Sequence, residues 1–181
     1  GELAGKLIGL AISWIENKEN GEDDTSSKNN TLISAYIKVT GDANDTYEEH
    51  FIEEFKDVLD NESIKKWGHN IKNFLIYLIC KGIDMQGLGF DTMIAAYILN
   101  PSRETYKVSE LAAEYLGEEL IDVEGMVGKG KNKIAYTDID LAQAAVAYSQ
   151  AIYNLKDILD EKIKENEQEV LYYEIELPLV E

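Results

Sequence analysis

Residues 63–101 constrain this chain most, because extended and helical signals alternate there and each change is punctuated. Residues 63–67 read as a short strand. Residues 71–81 form a nearly all-apolar helix, and Gly82 follows it where a left-handed C-cap is favoured. Residues 83–90 make a short extended segment. Asp91 or Thr92 then stands as N-cap of a helix over 93–99, which Pro101 closes. Apolar strands and helices in this order have one economical solution, a sheet with helices packed on it.

The flanks extend the pattern. Residues 6–15 are apolar and β-branched, and residues 31–40 alternate, so both read as strands. Residues 16–30 between them are Glu, Asn, Asp, Ser, Lys and Gly, which predicts a long, solvated, mobile hairpin loop. Residues 47–59 place Tyr47, Phe51, Ile52, Phe55, Val58 and Leu59 at helical spacing with acids opposite. A short helix is expected over 108–116, closed by Gly117, and a glycine-rich loop over 118–133. From residue 138 a long helix runs past 165, with Leu141, Ala145, Tyr148, Ile152, Leu155, Ile158 and Leu159 on one stripe. The expected fold is α/β: a mixed β-sheet flanked by α-helices, with a helical C-terminal half.

Composition bounds function. The 181 residues suit one domain, and 45% apolar content is enough for a core. Seventeen Lys and Arg against 35 Asp and Glu give a net charge of −18. Such a chain repels phosphate, which disfavours autonomous nucleic-acid binding and an anionic membrane surface. No apolar run approaches the ~20 residues of a membrane span, and the N-terminus lacks a basic signal region. Cys80 is the single cysteine; it sits in an apolar run and reads as a core thiol, so neither a disulfide nor a cysteine zinc site is expected. The chain begins without Met and stops in mid-pattern, as a fragment does.

Local chemistry signals are sparse. Asp60/Glu62 and Asp122/Glu124 each make an Asp-x-Glu, but neither follows an apolar strand that would hold it rigid, so both read as surface acids. His50 lies in an acidic helix. His69 follows a strand, where ligands gather in α/β folds, yet reads first as a hydrogen-bonded structural residue. Gly128-Lys129-Gly130-Lys131 lacks phosphate-loop spacing.

Three segments carry a family likeness: residues 66–72 (Lys-Trp-Gly-His-Asn-Ile-Lys), residues 82–101 with Phe90-Asp91-Thr92 and a small-residue helix ending in Asn100-Pro101, and residues 111–117 (Leu-Ala-Ala-Glu-Tyr-Leu-Gly). In this order they resemble the 3′–5′ exonuclease domain of bacterial DNA polymerase I (family A), and residues 172–181 resemble its junction to the polymerase domain. The resemblance implies a ribonuclease-H-like fold over 1–181. It also implies a two-metal site built from an Asp-x-Glu on a first strand and acids on two helices. Carried across, the first strand would precede residues 6–15, and no Asp-x-Glu stands in the first fifteen residues. The acid expected four residues after Asn70 is Phe74. The late-helix positions fall on Ala144 and Tyr148. What persists is architectural: Asn70, Lys72, Phe90, Asp91 and Thr92, with Gly82, Gly87 and Gly89 at turns and Leu88, Phe90, Tyr97, Leu111 and Leu116 in the core.

The resemblance therefore implies a degenerate, catalytically inactive exonuclease-like domain, with no catalytic or metal-binding residues and no cofactor of its own. Mg²⁺ is expected only for the parent polymerase. Its partner is expected to be the polymerase domain of the same parent chain, with DNA met through the parent enzyme, in the cytoplasm and without a membrane. An active exonuclease and an acidic protein-docking module are the alternatives.

Overall fold

The computed structural model describes residues 7–17, 30–39, 47–128, 130–136 and 139–180. Strands β1 (Gly9–Asn17) and β2 (Asn30–Lys38) pair antiparallel, with Gly9 opposite Lys38 and Asn17 opposite Asn30. The hairpin was expected, but its strands run further than the polar composition of 16–30 suggested, because ladder pairing carries Glu16, Asn17 and Asn30. Residues 18–29, the rest of the expected loop, lie outside the described residues. After α1 (Tyr47–Leu59), β3 (Lys66–Gly68) and β4 (Leu88–Asp91) pair parallel across α2 (Lys72–Cys80). Among the described residues the strands form two two-stranded ladders, one antiparallel and one parallel. Helices α3 (Thr92–Leu99), α4 (Val108–Tyr115), α5 (Val123–Val127) and α6 (Ala142–Glu165) follow, then a π-helical turn over Val170–Glu176. The helical C-terminal half is as expected, except that α5 interrupts the anticipated loop over 118–133. Val127, 2% exposed, anchors it.

Helix α6 lies across both ladders. On its side the core is Phe90, Ala95, Ile98, Leu111, Ala151, Leu155, Leu159, Ile163 and Tyr172. Opposite, Val39, Phe51, Leu59, Ile71, Leu75, Leu78 and Met85 form a second core under α1 and α2. Leu88 and Ile94 pack against both, so the two cores meet around β4. Ala144 and Ala151 are buried on α6. Small side chains there let the helix approach the strands closely.

Several packing expectations need correction. Cys80 is exposed, because α2 buries only the line of Ile71, Leu75 and Leu78 with Tyr77, leaving Ile79 (60% exposed) and Cys80 outside. A nearly all-apolar helix of nine residues hides which stripe faces inward. Tyr97, expected in the core, is 48% exposed and meets Tyr106 edge-on at 5.9 Å; Ala95, Ala96 and Ile98 occupy the inner face instead. Tyr47 and Val58 are also exposed. Gly89 does not shape a turn: it lies inside β4. Gly82 (φ +77°) ends α2 as predicted, and Gly87 (φ +76°) is required by close packing, since a Cβ there would lie 2.8 Å from the Glu62 and Ile64 carbonyl oxygens.

Candidate functional site

The residues of the family-like motif converge on one carboxylate. Asp91 ends β4 and is 1% exposed. Its Oδ1 accepts from the backbone N–H of Met93 (2.8 Å) and Ile94 (3.2 Å), which caps α3, and from Asn70 N–H (3.2 Å). Its Oδ2 accepts from Ile71 N–H (2.8 Å). One buried carboxylate thus holds both the first turn of α3 and the turn that opens α2. Asn70 makes that turn with φ +53°, a left-handed conformation that Asn tolerates better than most residues. The four N–H donors satisfy the charge that burial would otherwise penalise.

The surrounding groups continue this network. Thr92 Oγ1 donates to Gly68 O (3.1 Å) and is hydrogen-bonded to His69 Nδ1 (2.9 Å). Burial holds the His69 imidazole below its ordinary pKa of 6.5, and this outweighs the opposing pull of Asp91. His69 is a hydrogen-bonded residue within the scaffold, as the sequence suggested. Tyr172, fully buried, accepts from Asp91 N–H (2.7 Å), donates to Asp91 O (3.1 Å) and stacks tilted on Phe90 at 4.8 Å. Desolvation pushes its phenol pKa far up. Tyr173 donates to Asp160 Oδ1 (2.7 Å), whose carboxyl also takes Lys164 (2.9 Å). The segment expected to be a junction is therefore locked into the core. Lys72 is exposed at the start of α2 and takes no part.

Lys66 was missed as a functional anchor. Its ammonium donates to the carbonyls of Leu59 (3.1 Å), Asn61 (2.6 Å) and Gln86 (2.7 Å), closing the end of α1 against the segment that leads into β4. Two carbonyls at and just past the end of α1 and a third 25 residues later leave no local sequence signal.

Two of the positions where acids were expected line a separate, largely apolar cleft of about 790 Å³ between β1, β3 and α6. Phe74 and Tyr148 are both in its wall, with Trp67, Phe55 and Ile152. Phe74 stacks with Tyr77 at 6.3 Å, and Tyr148 donates to Ile121 O at 3.1 Å. Ala144 is buried on α6. Two aromatic rings and a methyl group neither neutralise nor coordinate divalent cations, so these positions do not fit a paired-metal site. Among the described residues no three His, Cys, Asp or Glu side chains cluster as a metal requires. Asp60 and Glu62 are exposed after α1, and Asp122 is exposed before α5, away from the cleft wall. His50 is exposed. Gly128 follows α5 and Gly130 opens a 3₁₀ turn, with no described strand leading into them; Lys129 lies outside the described residues.

A family model described as DNA polymerase I, ribonuclease H-like domain matches residues 27–155. This chain belongs to that family. It is 32% identical over 127 residues to DNA polymerase I of Bacillus subtilis (strain 168), covering 70% of this chain and 14% of that protein. It is 35% identical over 127 residues to DNA polymerase I of Chloroflexus aurantiacus, covering 67% and 13%. The ribonuclease H-like domain here thus spans about one-seventh of its curated relatives. A solved structure of the POL domain of Pol1 from M. smegmatis, in complex with DNA primer-template and dNTP, superposes with a TM-score of 0.61 at 19% identity. The match covers 94% of this chain and 27% of that one, and supports the fold. No helix among the described residues is long and apolar enough to cross a membrane.

Proposed function

We propose that this domain is a catalytically inactive, exonuclease-like domain that gives structural support to template-directed DNA synthesis by a parent DNA polymerase I in the cytoplasm. The observation that carries this reading is that Phe74 and Tyr148 in the cleft wall, and Ala144 buried on α6, stand where the family likeness leads one to expect acids. A two-metal site stripped of its carboxylates has no charge to hold the cations. The charge of −18 agrees, since a domain that does not grip single-stranded DNA needs no basic groove. In this reading residues 1–181 are one domain, DNA and Mg²⁺ belong to the polymerase domain, and that domain is the partner. The final described segment supports the docking: Val170 (60% exposed), Ile175 (48%) and Leu179 (69%) present apolar side chains outward while Tyr172 fixes the same segment inward.

The test is metal titration by calorimetry together with digestion of single-stranded DNA, on this chain and on the parent polypeptide. The expected result is no tight Mn²⁺ or Mg²⁺ site in this chain and no exonuclease activity. Digestion by nuclease-free preparations, abolished by EDTA, overturns the reading.

A further inference from the structure

A lysine ammonium has three N–H donors and no acceptor. At Lys66 the three acceptors are backbone carbonyls, neutral dipoles rather than a carboxylate: Asn61 O at 2.6 Å, Gln86 O at 2.7 Å and Leu59 O at 3.1 Å. Leu59 closes α1, so its carbonyl is among those a helix end leaves without an intrahelical partner, where the helix dipole is negative. Desolvation and the charge of Lys65 draw the Lys66 pKa below 10.5, with Asp60 opposing, so the carbonyls hold the ammonium against a cost. The segments that supply them are also fastened to each other. Gln86 N–H donates to Leu59 O (2.9 Å), Lys66 N–H to Gly87 O (3.0 Å) and Ile64 N–H to Asn61 O (3.2 Å). A Cβ on Gly87 would lie 2.8 Å from the Glu62 and Ile64 carbonyl oxygens, so the turn after α1 packs directly on the segment entering β4. Converging carbonyl oxygens are a means of holding a small monovalent cation stripped of water. The cage stands at one end of the parallel ladder, where Lys66 is opposite Leu88; at the other end Gly68 is opposite Asp91. A cation among carbonyls pins the start of β3, and an anion among N–H groups pins its finish.

We propose that the carbonyls of Leu59, Asn61 and Gln86 form a site for a small monovalent cation, filled by the tethered Lys66 ammonium, and that the site takes up a free ammonium ion when the tether is removed. The ligand class follows from the donors. Divalent ions are held with carboxylates, which offset the loss of their hydration shell, whereas three neutral carbonyls match the three N–H donors and single charge of an ammonium group. The consequence for the fold is register. Lys66 stands opposite Leu88 and Trp67 opposite Phe90, so the pairing steps over Gly89 just beyond the cage. A cation that ties residues 59 and 61 to residue 86 fixes where that step falls. Without it the turn after α1 and the segment entering β4 present converging carbonyls with no donor between them, and they separate to reach water.

Chemical rescue of Lys66→Ala in the 181-residue chain tests this, by urea unfolding and amide exchange in ammonium chloride or tetramethylammonium chloride at about 0.3 M. The tetramethyl ion screens the net charge of −18 equally but has no N–H to donate and is too large for the cage. Lys65→Ala removes the adjacent, exposed charge and serves as the charge-matched reference. In tetramethylammonium, Lys66→Ala is expected to unfold at lower urea than Lys65→Ala, with the Ile64 and Gln86 amides exchanging at least about tenfold faster. Ammonium is expected to restore at least about half of the lost midpoint and to slow both amides again, with no such gain in Lys65→Ala. Equal midpoints for the two variants overturn the proposal, as does equal recovery in the two salts. Where Lys66→Ala is unfolded in tetramethylammonium, refolding in ammonium supports the proposal and failure to refold there overturns it. The readout is stability and amide protection, so it is independent of whether the domain cleaves DNA.

Discussion

The Asp91 hub and the Phe74–Tyr148 wall are neighbours built on opposite principles. At the hub a buried charge is fully hydrogen-bonded and ties together β4, the α2 turn, α3 and the C-terminal segment. At the wall Phe74 and Tyr148 are aromatic, and among the described residues the outer edges of β1 and β3 beside it have no strand partner. The hub resists change because every partner depends on one residue. The wall tolerates it because packing in a half-open cleft is forgiving. A scaffold residue and a former chemical position therefore answer to different pressures even when they lie one helix apart.

The largest expected effect is Asp91→Ala. It strips four N–H groups of their acceptor and should cost about 3–5 kcal/mol, read as a lowered urea midpoint. A loss below ~1 kcal/mol would dissolve the contrast with the wall. Tyr172→Phe comes next: it removes the hydroxyl that serves both the N–H and the C=O of Asp91, for about 1–3 kcal/mol, and loosens the C-terminal segment in hydrogen exchange. Phe74→Asp tests the wall itself. It should lower stability by only about 1–2 kcal/mol, because Phe74 is half-buried, and added Mn²⁺ should not restore it. A Mn²⁺-dependent rise in melting temperature for that variant would mean the wall still hides ligands. The smallest effect is the pH response of His69. Its folded pKa is lowered below 6.5, so the unfolded chain takes up the proton first. The contribution is present above pH 6.5 and lost as pH falls toward the folded value, and His69→Gln should flatten the stability profile between about pH 7 and 5 relative to the unchanged chain.

Much of this architecture was legible residue by residue. Gly82 and Asp91 announced a helix end and a helix start because their local chemistry admits few alternatives. The hydrogen-bonded, structural role of His69 also followed from its setting. The failures share a cause. Cys80 and Tyr97 sit in helices so apolar that periodicity could not say which stripe faces inward, and both turned out exposed. The buried line of α6 runs through Ala144 and Ala151 as well as Leu155 and Leu159, a phase that small residues obscure. Lys66 was unreadable because its three carbonyls come from residues 59, 61 and 86.

Local sequence was sufficient for the caps and for the order of the strands and of the helices other than α5, because caps and periodicity are properties of a few neighbouring residues; the apolar residues where acids were expected were read from the family resemblance. Tertiary structure alone decided that Asp91 serves two helices, that Tyr172 closes on it from 81 residues away, and that β1 and β3 face each other across an open cleft. Those are meetings of distant segments, and their energy depends on burial and direction that no short stretch of chain encodes.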